Sequence, residues 1–381
     1  MKKILTWFIV LVLVASASMA AVAEGLTDFA PASLTADKPV PEGLKIAFGY
    51  RSFSDKLGSQ YKNCVQYLCD AFGVDVVFFE YGNGGDEAVS AVESVLAAGD
   101  IKGIMVAGAT SAAYVAAADK YGAAYICIGG FPATEEEIAS CTAYDCFLGG
   151  ILDDDDWAGA TGIEALYQAG CRNICYSGLL KGYVSSHDAR AAAMNRVVDS
   201  HEDMNLLAEN YTMLEWSADI ASFAASYPEM DGYGFSACAD SLYQAFENEG
   251  IADGSVKIAG VDISSQTGNY FKKGVMCWTC GGQYGTAMMA FSILYNYLAD
   301  STRIIADPAV PMLRPYIGIN SYEDYERYEK YVESEVPVYT AEEVLETIHY
   351  FNEEVTADTF QSLADNYSIA DIEARHADLI A

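Results

Sequence analysis

The two cysteines closest together in this 381-residue sequence are Cys277 and Cys280, separated by a tryptophan and a threonine. Such a pair can act as a redox couple, form a disulfide or supply half of a zinc site. A zinc site needs further ligands, but the sequence has no second Cys-x-x-Cys motif and only four histidines. The spacing therefore favours a structural pair. A disulfide is the first alternative, and an exported thiol enzyme is a weaker one.

Other chemical motifs are incomplete. The acidic run Asp153–Asp156 is a candidate calcium ligand set, but the spacing of an EF-hand is absent, and a solvated connecting segment is the favoured interpretation. The run Gly82–Gly85 follows an apolar segment but is too short for a phosphate loop and lacks its lysine. No G-x-S-x-G or H-E-x-x-H motif occurs. We therefore predict a protein that is not an enzyme, with no metal site and no cofactor.

The elements that would position functional side chains alternate regularly along the chain. Short apolar runs separated by amphipathic segments indicate parallel strands covered by helices on both faces. Gly73, Gly99 and Gly122 lie where helices should end in a left-handed residue. The predicted strands are Leu44–Tyr50, Val74–Glu80, Ile101–Gly108, Ala124–Gly130, Asn173–Gly178, Gly232–Ala237, Val256–Asp262 and Val275–Thr279.

The N-terminus has the features of an export signal. Residues 1–23 contain two lysines, a short apolar core and a small-residue pattern that ends in Ala21-Val22-Ala23. The apolar core is too short to span a bilayer comfortably, and no cysteine stands at the cleavage region. We expect a periplasmic or secreted protein with residues 24–43 as a flexible lead-in.

Composition limits the partners. The formal net charge of −33 should repel nucleic acid and anionic lipid. Removal of residues 1–23 from the 381 leaves 358, enough for two lobes. All ten cysteines lie in that remaining part, and the sequence leaves open whether they pair or stay as free thiols.

Five segments, in order and at suitable spacing, resemble type I periplasmic binding proteins of the ribose-binding and lac-repressor-core kind. The resemblance covers Leu44–Leu298. The segments are LKIAFGYRSFSDKLGSQY, DDDDWAGATGIEAL, HDARAAAMNRVV, VKIAGVD and the final KKGVMCWT with GTAMMAFSILYNYL.

This resemblance implies an α/β fold with two Rossmann-like lobes, each built on a parallel sheet, joined by a three-crossing hinge. It implies an N-terminal lobe of residues 44–145 and 275–300, a C-terminal lobe of residues 146–274, and a helical C-terminal extension of residues 301–381. A ligand would lie between the lobes and be enclosed by hinge closure.

Two residues match ligand positions of the family most directly. Arg190 matches the ligand arginine, whose rigid fork of donors suits hydroxyls, a carboxylate or a phosphate. Asp262 ends a strand where the family uses an aspartate to accept hydroxyl groups of sugars. The alternatives are a surface arginine for Arg190 and a helix N-cap for Asp262.

Further candidates stand at or near family ligand positions, with core packing or solvated loop charge as their alternatives. They are Phe53, Asp55, Lys56, Phe131, Trp216, Asp240 and Trp278.

The resemblance implies an exported solute-binding protein that delivers a small carbohydrate-like ligand to the membrane permease of an ABC importer, acting as a monomer. A sensory or chemotaxis binding protein that docks on a receptor is an alternative. A nucleoside is an alternative to a sugar as the ligand, because Gly129-Gly130 stands where sugar-binding members of the family usually have Asp-Arg.

Overall fold

The computed structural model describes residues 29–380 except residues 32–33, 83, 109, 214 and 239. The predicted signal peptide, residues 1–23, lies outside the described residues. The strands in chain order are β1 Lys45–Tyr50, β2 Asp75–Glu80, β3 Gly103–Ala107, β4 Ala124–Ile128, β5 Phe147–Asp153, β6 Asn173–Leu179, β7 Asn205–Thr212, β8 Gly232–Phe235, β9 Lys257–Gly260, β10 Met276–Gly281, β11 Met312–Arg314 and β12 Ile317–Ile319.

Helices begin and end where capping chemistry allows. The side chains of Asp55, Thr134 and Asp154 accept hydrogen bonds from backbone N–H groups of the helices that follow them. Gly122 ends its helix in the left-handed conformation, as predicted. The helices are α1 Lys56–Ala71, α2 Gly85–Ala97, α3 Ala112–Tyr121, α4 Glu135–Thr142, α5 Asp155–Gln168, α6 Ser185–Ser200, α7 Trp216–Ser226, α8 Asp240–Asn248, α9 Thr267–Lys272, α10 Tyr284–Asp300, α11 Tyr322–Tyr331, α12 Ala341–Leu345, α13 Ala357–Asn366 and α14 Ile369–His376.

The described strands form two six-stranded sheets, in the orders β11-β5-β4-β3-β1-β2 and β12-β10-β9-β8-β6-β7. Their pairings are parallel except that β12 runs antiparallel to β10. Helices pack on the sheets; in the first lobe, for example, α1 packs on α10, which lies on β3, β4 and β5. The predicted fold class of two α/β lobes is confirmed.

The lobe boundaries differ from those predicted. Residues 146–274 were assigned to the second lobe, but β5 pairs with β4 in the first sheet, so the first crossing lies between Asp153 and Asp155. Residues 275–300 were assigned to the first lobe, but β10 belongs to the second sheet and only α10 returns to the first. The glycine pair within β5 interrupts its apolar pattern, which is why the sequence did not mark it as a strand.

The region 301–381 is more than the predicted helical extension. Within it, β11 adds to the edge of the first sheet and β12 to the edge of the second, so the two residues between them make the third crossing. Strands of three residues are too short to show a periodicity. The rest of the region, α11 to α14, is helical as predicted.

The lead-in, predicted to be flexible, is packed in part. The Phe29 ring lies 5.4 Å from the Tyr67 ring and 6.1 Å from the Tyr284 ring, and the Ala30 amide donates to the Glu335 carbonyl. This apolar contact explains the difference from the prediction. None of the helices in the described part of the chain is both long and apolar enough to span a bilayer.

Candidate functional site

The region between the two lobes, called the gap below, lies at the carboxyl ends of strands from both sheets. Three crossings leave from the ends of strands: those after β5 and β11 leave the first lobe, and the one after β10 leaves the second. Because neighbouring strands are parallel, the loops after β1, β8 and β9 reach the same gap. Burial raises the pKa of Asp262, which follows β9, and the negative charge of Asp55, which follows β1, adds to that shift.

Asp262 has a backbone conformation that is uncommon for residues other than glycine. Its φ is +77°, in the left-handed region that non-glycine residues avoid. The Gln283 side-chain amide donates to Asp262 Oδ1, and Thr279 Oγ1 donates to the Asp262 carbonyl at 2.8 Å. Burial raises the pKa of Asp262, while the charge of Arg190 acts in the opposite direction. Backbone strain at a partly buried carboxylate is typical of functional sites.

Asp262 does not cap a helix, because α9 begins only at Thr267 with Gln266 as its N-cap residue. The capping alternative for this residue is therefore wrong. A carboxylate oxygen that is partly exposed at the gap can accept a hydrogen bond from a hydroxyl group.

Arg190 is a buried ion-pair residue rather than a surface arginine. Its Nε donates to Asp155 Oδ1 at 2.8 Å, its NH2 donates to the Tyr316 hydroxyl at 2.7 Å, and its NH1 donates to the Ser236 carbonyl. Tyr316 in turn donates to Asp155 Oδ1 at 2.7 Å. These four residues, the Arg190 cluster, join α6, β8 and two of the crossings.

A second buried arginine joins the crossings themselves. Arg314, with no exposed side-chain surface, donates to Asp153, to Thr286 Oγ1 at 2.7 Å and to the Gly282 carbonyl at 3.2 Å. Thr286 also donates to Asp153 Oδ1 at 2.7 Å. Burial raises the pKa of Asp153, and the Arg314 guanidinium opposes that shift. This hinge cluster of Asp153, Thr286 and Arg314 contains a residue from, or beside, each crossing.

The solvated interpretation of Asp153–Asp156 is thus wrong for two of its four residues. The Asp153 and Asp155 side chains are 5 % and 10 % exposed, and each is paired with an arginine. Asp154 caps α5. Asp156 makes an exposed pair with Arg196.

His187 lies beside Arg190 on the wall of the second lobe. Its Nδ1 is 2.8 Å from Ser236 Oγ, which also accepts from the Leu179 amide at 3.2 Å. Burial, reinforced by the charge of Arg190, holds the pKa of His187 well below its usual value. The imidazole is therefore uncharged at neutral pH.

The depressed pKa predicts a pH dependence of stability that His187→Gln should remove. Below about pH 6.5 the unfolded chain binds a proton at this residue that the folded chain does not. As the pH is lowered below that value, the free energy of unfolding should decrease, by at most about 1.4 kcal/mol per pH unit for this residue. Urea unfolding of both proteins between pH 7 and pH 5 measures the slope, and identical slopes would contradict this assignment.

Solved structures with similar folds come from binding proteins. One is a periplasmic sugar-binding protein from Pseudomonas fluorescens, 12 % identical, with a TM-score of 0.69, 86 % of this chain covered and 99 % of the other. Another is a periplasmic solute-binding protein of an ABC transporter from Actinobacillus succinogenes with bound D-allose, 16 % identical, with a TM-score of 0.63 and coverages of 75 % and 100 %. A galactofuranose-binding protein is 13 % identical, with a TM-score of 0.64 and coverages of 75 % and 98 %.

The chain has the type I periplasmic binding protein fold. At these identities the likeness establishes the fold alone. No family model matches the sequence, and no curated protein matches it in sequence.

The first lobe of this type I fold presents Phe53 and Asp55 after β1. The Phe53 ring is partly buried against Phe48, Tyr50 and Phe78, at centroid distances of 5.6–6.3 Å. Asp55 caps α1 through the Gly58 amide at 2.7 Å and pairs with Arg51 at 2.8 Å. Both residues therefore have local structural partners as well as a place at the gap. Lys56 pairs with Glu333 at 2.7 Å, which gives its charge a partner in the C-terminal region.

The other candidates are more dispersed. Phe131 follows β4 and is partly buried against Phe147 at 6.2 Å. Asp240 is exposed at the start of α8, where it accepts from Ser265 at 2.9 Å. Trp216 is 3 % exposed in the core, and its indole N–H donates to the Gly178 carbonyl at 3.1 Å. Trp278 is 1 % exposed. Both tryptophans therefore pack in the core, which was the alternative to ligand contact for each of them.

The cysteine pair does not have the environment of a redox centre. Burial raises the pKa of Cys277 to about 12 and holds the pKa of Cys280 well above its usual value. Reactive cysteines need the opposite shift. All ten cysteines lie among the described residues and are free thiols there, and no cluster that could hold a metal ion occurs in the same part of the chain.

Sequence reasoning missed several residues of this site. Asp155, Tyr316 and Ser236 surround Arg190, and Gln283 contacts Asp262. Gln283 follows the end of β10 by two residues, and this place beyond the carboxyl end of a strand is the signal that could have identified it. Nothing local in the sequence marks Tyr316, which reaches Arg190 only through the third crossing.

Proposed function

We propose that this chain is an exported solute-binding protein that captures a small, hydroxyl-bearing ligand between its lobes by hinge closure. The observation that carries the proposal is Asp262, a strained and partly exposed carboxylate held by Gln283 beside the Arg190 cluster at the gap. Solved structures with this fold include a galactofuranose-binding protein, a solute-binding protein with bound D-allose and a periplasmic sugar-binding protein. We therefore infer a sugar-like ligand.

The charge arrangement favours a neutral ligand over an anionic one. Arg190 and Arg51 are each paired with a carboxylate of the protein, at 2.7 and 2.8 Å. His187 is uncharged at neutral pH because its pKa is depressed by burial. The neighbour of Asp262 that contacts its carboxylate, Gln283, is an uncharged amide. An anionic ligand would be repelled by the Asp262 carboxylate, and none of these residues offers an unpaired cation to compensate. A hydroxyl group of a neutral ligand can instead donate a hydrogen bond to Asp262.

The rest of the proposal follows from the fold and from the N-terminal sequence. We propose a periplasmic or secreted location, a membrane permease of an ABC importer as the partner, and no catalytic activity. Phe53 and Phe131 are proposed to cover an apolar face of the ligand, and Asp55 and Asp240 to contribute polar contacts at the edges of the gap.

A thermal-shift panel tests binding. Neutral monosaccharides, their acidic derivatives and nucleosides are added in excess to the folded protein. A true ligand at about 100 times its Kd should add about 2.7 kcal/mol to the free energy of unfolding. We expect a stabilising neutral sugar and no effect of the acidic derivatives. Stabilisation only by an acidic derivative would contradict the charge argument, and no hit at all would contradict the binding function.

Asp262→Asn should weaken binding of the sugar found in that panel. The change removes a charged acceptor but keeps a side chain that tolerates the left-handed conformation. A hydrogen bond to a charged group contributes about 1.5–3 kcal/mol, or roughly 10- to 150-fold in Kd. Calorimetric titration measures it. The control is Asp253→Asn, an exposed turn residue before β9 at the opposite end of that strand, which should leave Kd unchanged. If Asp262→Asn and Asp253→Asn bound the sugar with equal affinity, Asp262 would not be a ligand-binding residue.

A further inference from the structure

The C-terminal tail, residues 320–380, contacts the second lobe through one face of α11. The Tyr325 ring lies against Gly268 of α9, where a Cβ would be 2.5 Å from the ring, and its centroid is 6.5 Å from that of Phe271. The ammonium of Lys272 is 4.3 Å from the Tyr322 ring centroid. The Tyr328 hydroxyl reaches Gly281 at the end of β10. Most of these contacts require small or flat groups at the interface, so they depend on close packing.

The same tail is attached to the first lobe by the residues that follow α11. The Tyr284 hydroxyl donates to the Val332 carbonyl at 2.7 Å, and Glu333 pairs with Lys56 of α1 at 2.7 Å. The Ala341 amide donates to the Tyr67 hydroxyl at 3.0 Å. Tyr284, Val332 and Ala341 are buried and the other three residues are partly buried, so the tail is attached to the first lobe at several points.

The tail also contacts the hinge. The Tyr367 hydroxyl donates to the Gly282 carbonyl at 2.7 Å, and the Tyr367 ring covers the guanidinium of Arg314 at 4.0 Å. Within the tail, Arg327 of α11 donates to Glu373 of α14 at 3.1 Å. Helices α11 and α14 of the tail are therefore connected by a side-chain contact as well as through the backbone.

We propose that the tail is a strap that spans the hinge and holds the lobes close together when no ligand is bound. If the lobes rotate apart about the crossings, α11 must leave α9 or separate from the first-lobe part of the tail. Either movement exposes aromatic surface to water, which shifts the equilibrium toward the closed arrangement. The strap concerns the shape of the free protein and does not depend on what the gap binds.

Gly268→Ala tests the strap without destabilising the helical conformation of α9 itself. Alanine is favoured over glycine within a helix, but its Cβ cannot coexist with the Tyr325 ring in its present position. Small-angle X-ray scattering of the ligand-free protein measures the fractions of open and closed molecules. We expect the ratio of closed to open molecules to fall by about tenfold, which corresponds to about 1.4 kcal/mol.

Two further variants complete the test. Tyr325→Ala removes the same contact from the other side and should open the protein to a similar extent. The matched control is Tyr350→Ala, a tail tyrosine that packs on Phe351 and near Lys38, away from the second lobe. It should leave the scattering curve unchanged. The strap is overturned if the unaltered protein is already open, if Gly268→Ala and Tyr325→Ala scatter like it while folded, or if Tyr350→Ala opens the protein equally.

Discussion

Arg314→Met should lower the free energy of unfolding by about 3–5 kcal/mol, the cost of leaving one member of a buried ion pair uncompensated. Methionine fills much of the volume but leaves Asp153, which is 5 % exposed, with only the Thr286 hydroxyl as a side-chain partner. It also removes the group that joins the three crossings. Equilibrium unfolding in urea, followed by circular dichroism, measures the change.

A second substitution separates charge from packing in the hinge cluster. Adding Asp153→Asn to Arg314→Met removes the unpaired carboxylate, so the double variant should be more stable than Arg314→Met alone. Such non-additivity is expected only for groups in direct contact. A loss below about 1 kcal/mol in Arg314→Met, the range typical of exposed pairs, would show that the cluster does not stabilise the hinge.

Arg190→Ala should also be destabilising by about 3–5 kcal/mol, because it would leave Asp155, whose side chain is 10 % exposed, without its partner in the buried ion pair. The resemblance of Arg190 to the family's ligand arginine implies only weaker ligand binding for this change. The structure adds the cost in stability, since the guanidinium contacts Asp155, Ser236 and Tyr316 in the absence of any ligand. Urea unfolding measures stability, and calorimetric titration of the surviving folded protein measures affinity.

Arg196→Ala is the matched control for Arg190→Ala. Arg196 lies on the same helix, and its pair with Asp156 is 57 % and 58 % exposed. Its removal should cost less than about 1 kcal/mol. Tyr316→Phe is informative as well, because it keeps the ion pair but removes the hydroxyl that connects Arg190 to the third crossing. If Arg190→Ala and Arg196→Ala were equally stable, the buried pair would have no special role.

The fold could be predicted because its signals are local. Apolar strand runs such as those of β3 and β4 are buried throughout, and positive-φ glycines follow the helices as expected. The crossings could not be placed, because β11 and β12 have three residues each and β5 contains two adjacent glycines. Pairing with a neighbour, rather than propensity, makes these segments strands.

The site could be predicted only in part for a related reason. Arg190 and Asp262 stand in recognisable segments, and the charge of Arg190 opposes the rise that burial causes in the pKa of Asp262. The partners of Arg190 include Tyr316, 126 residues away in sequence. The burial of Trp216 depends on how α7 packs against β6. Contacts of this kind are properties of the folded chain, and no local pattern encodes them.

A crystal structure of the protein with the sugar identified in the thermal-shift panel tests the central claim most directly. We expect one sugar molecule between the lobes, with a hydroxyl donating to Asp262 and with Gln283 and His187 at its edge. Electron density for the sugar on the outer surface of either lobe, with the gap filled by protein side chains alone, would contradict the account.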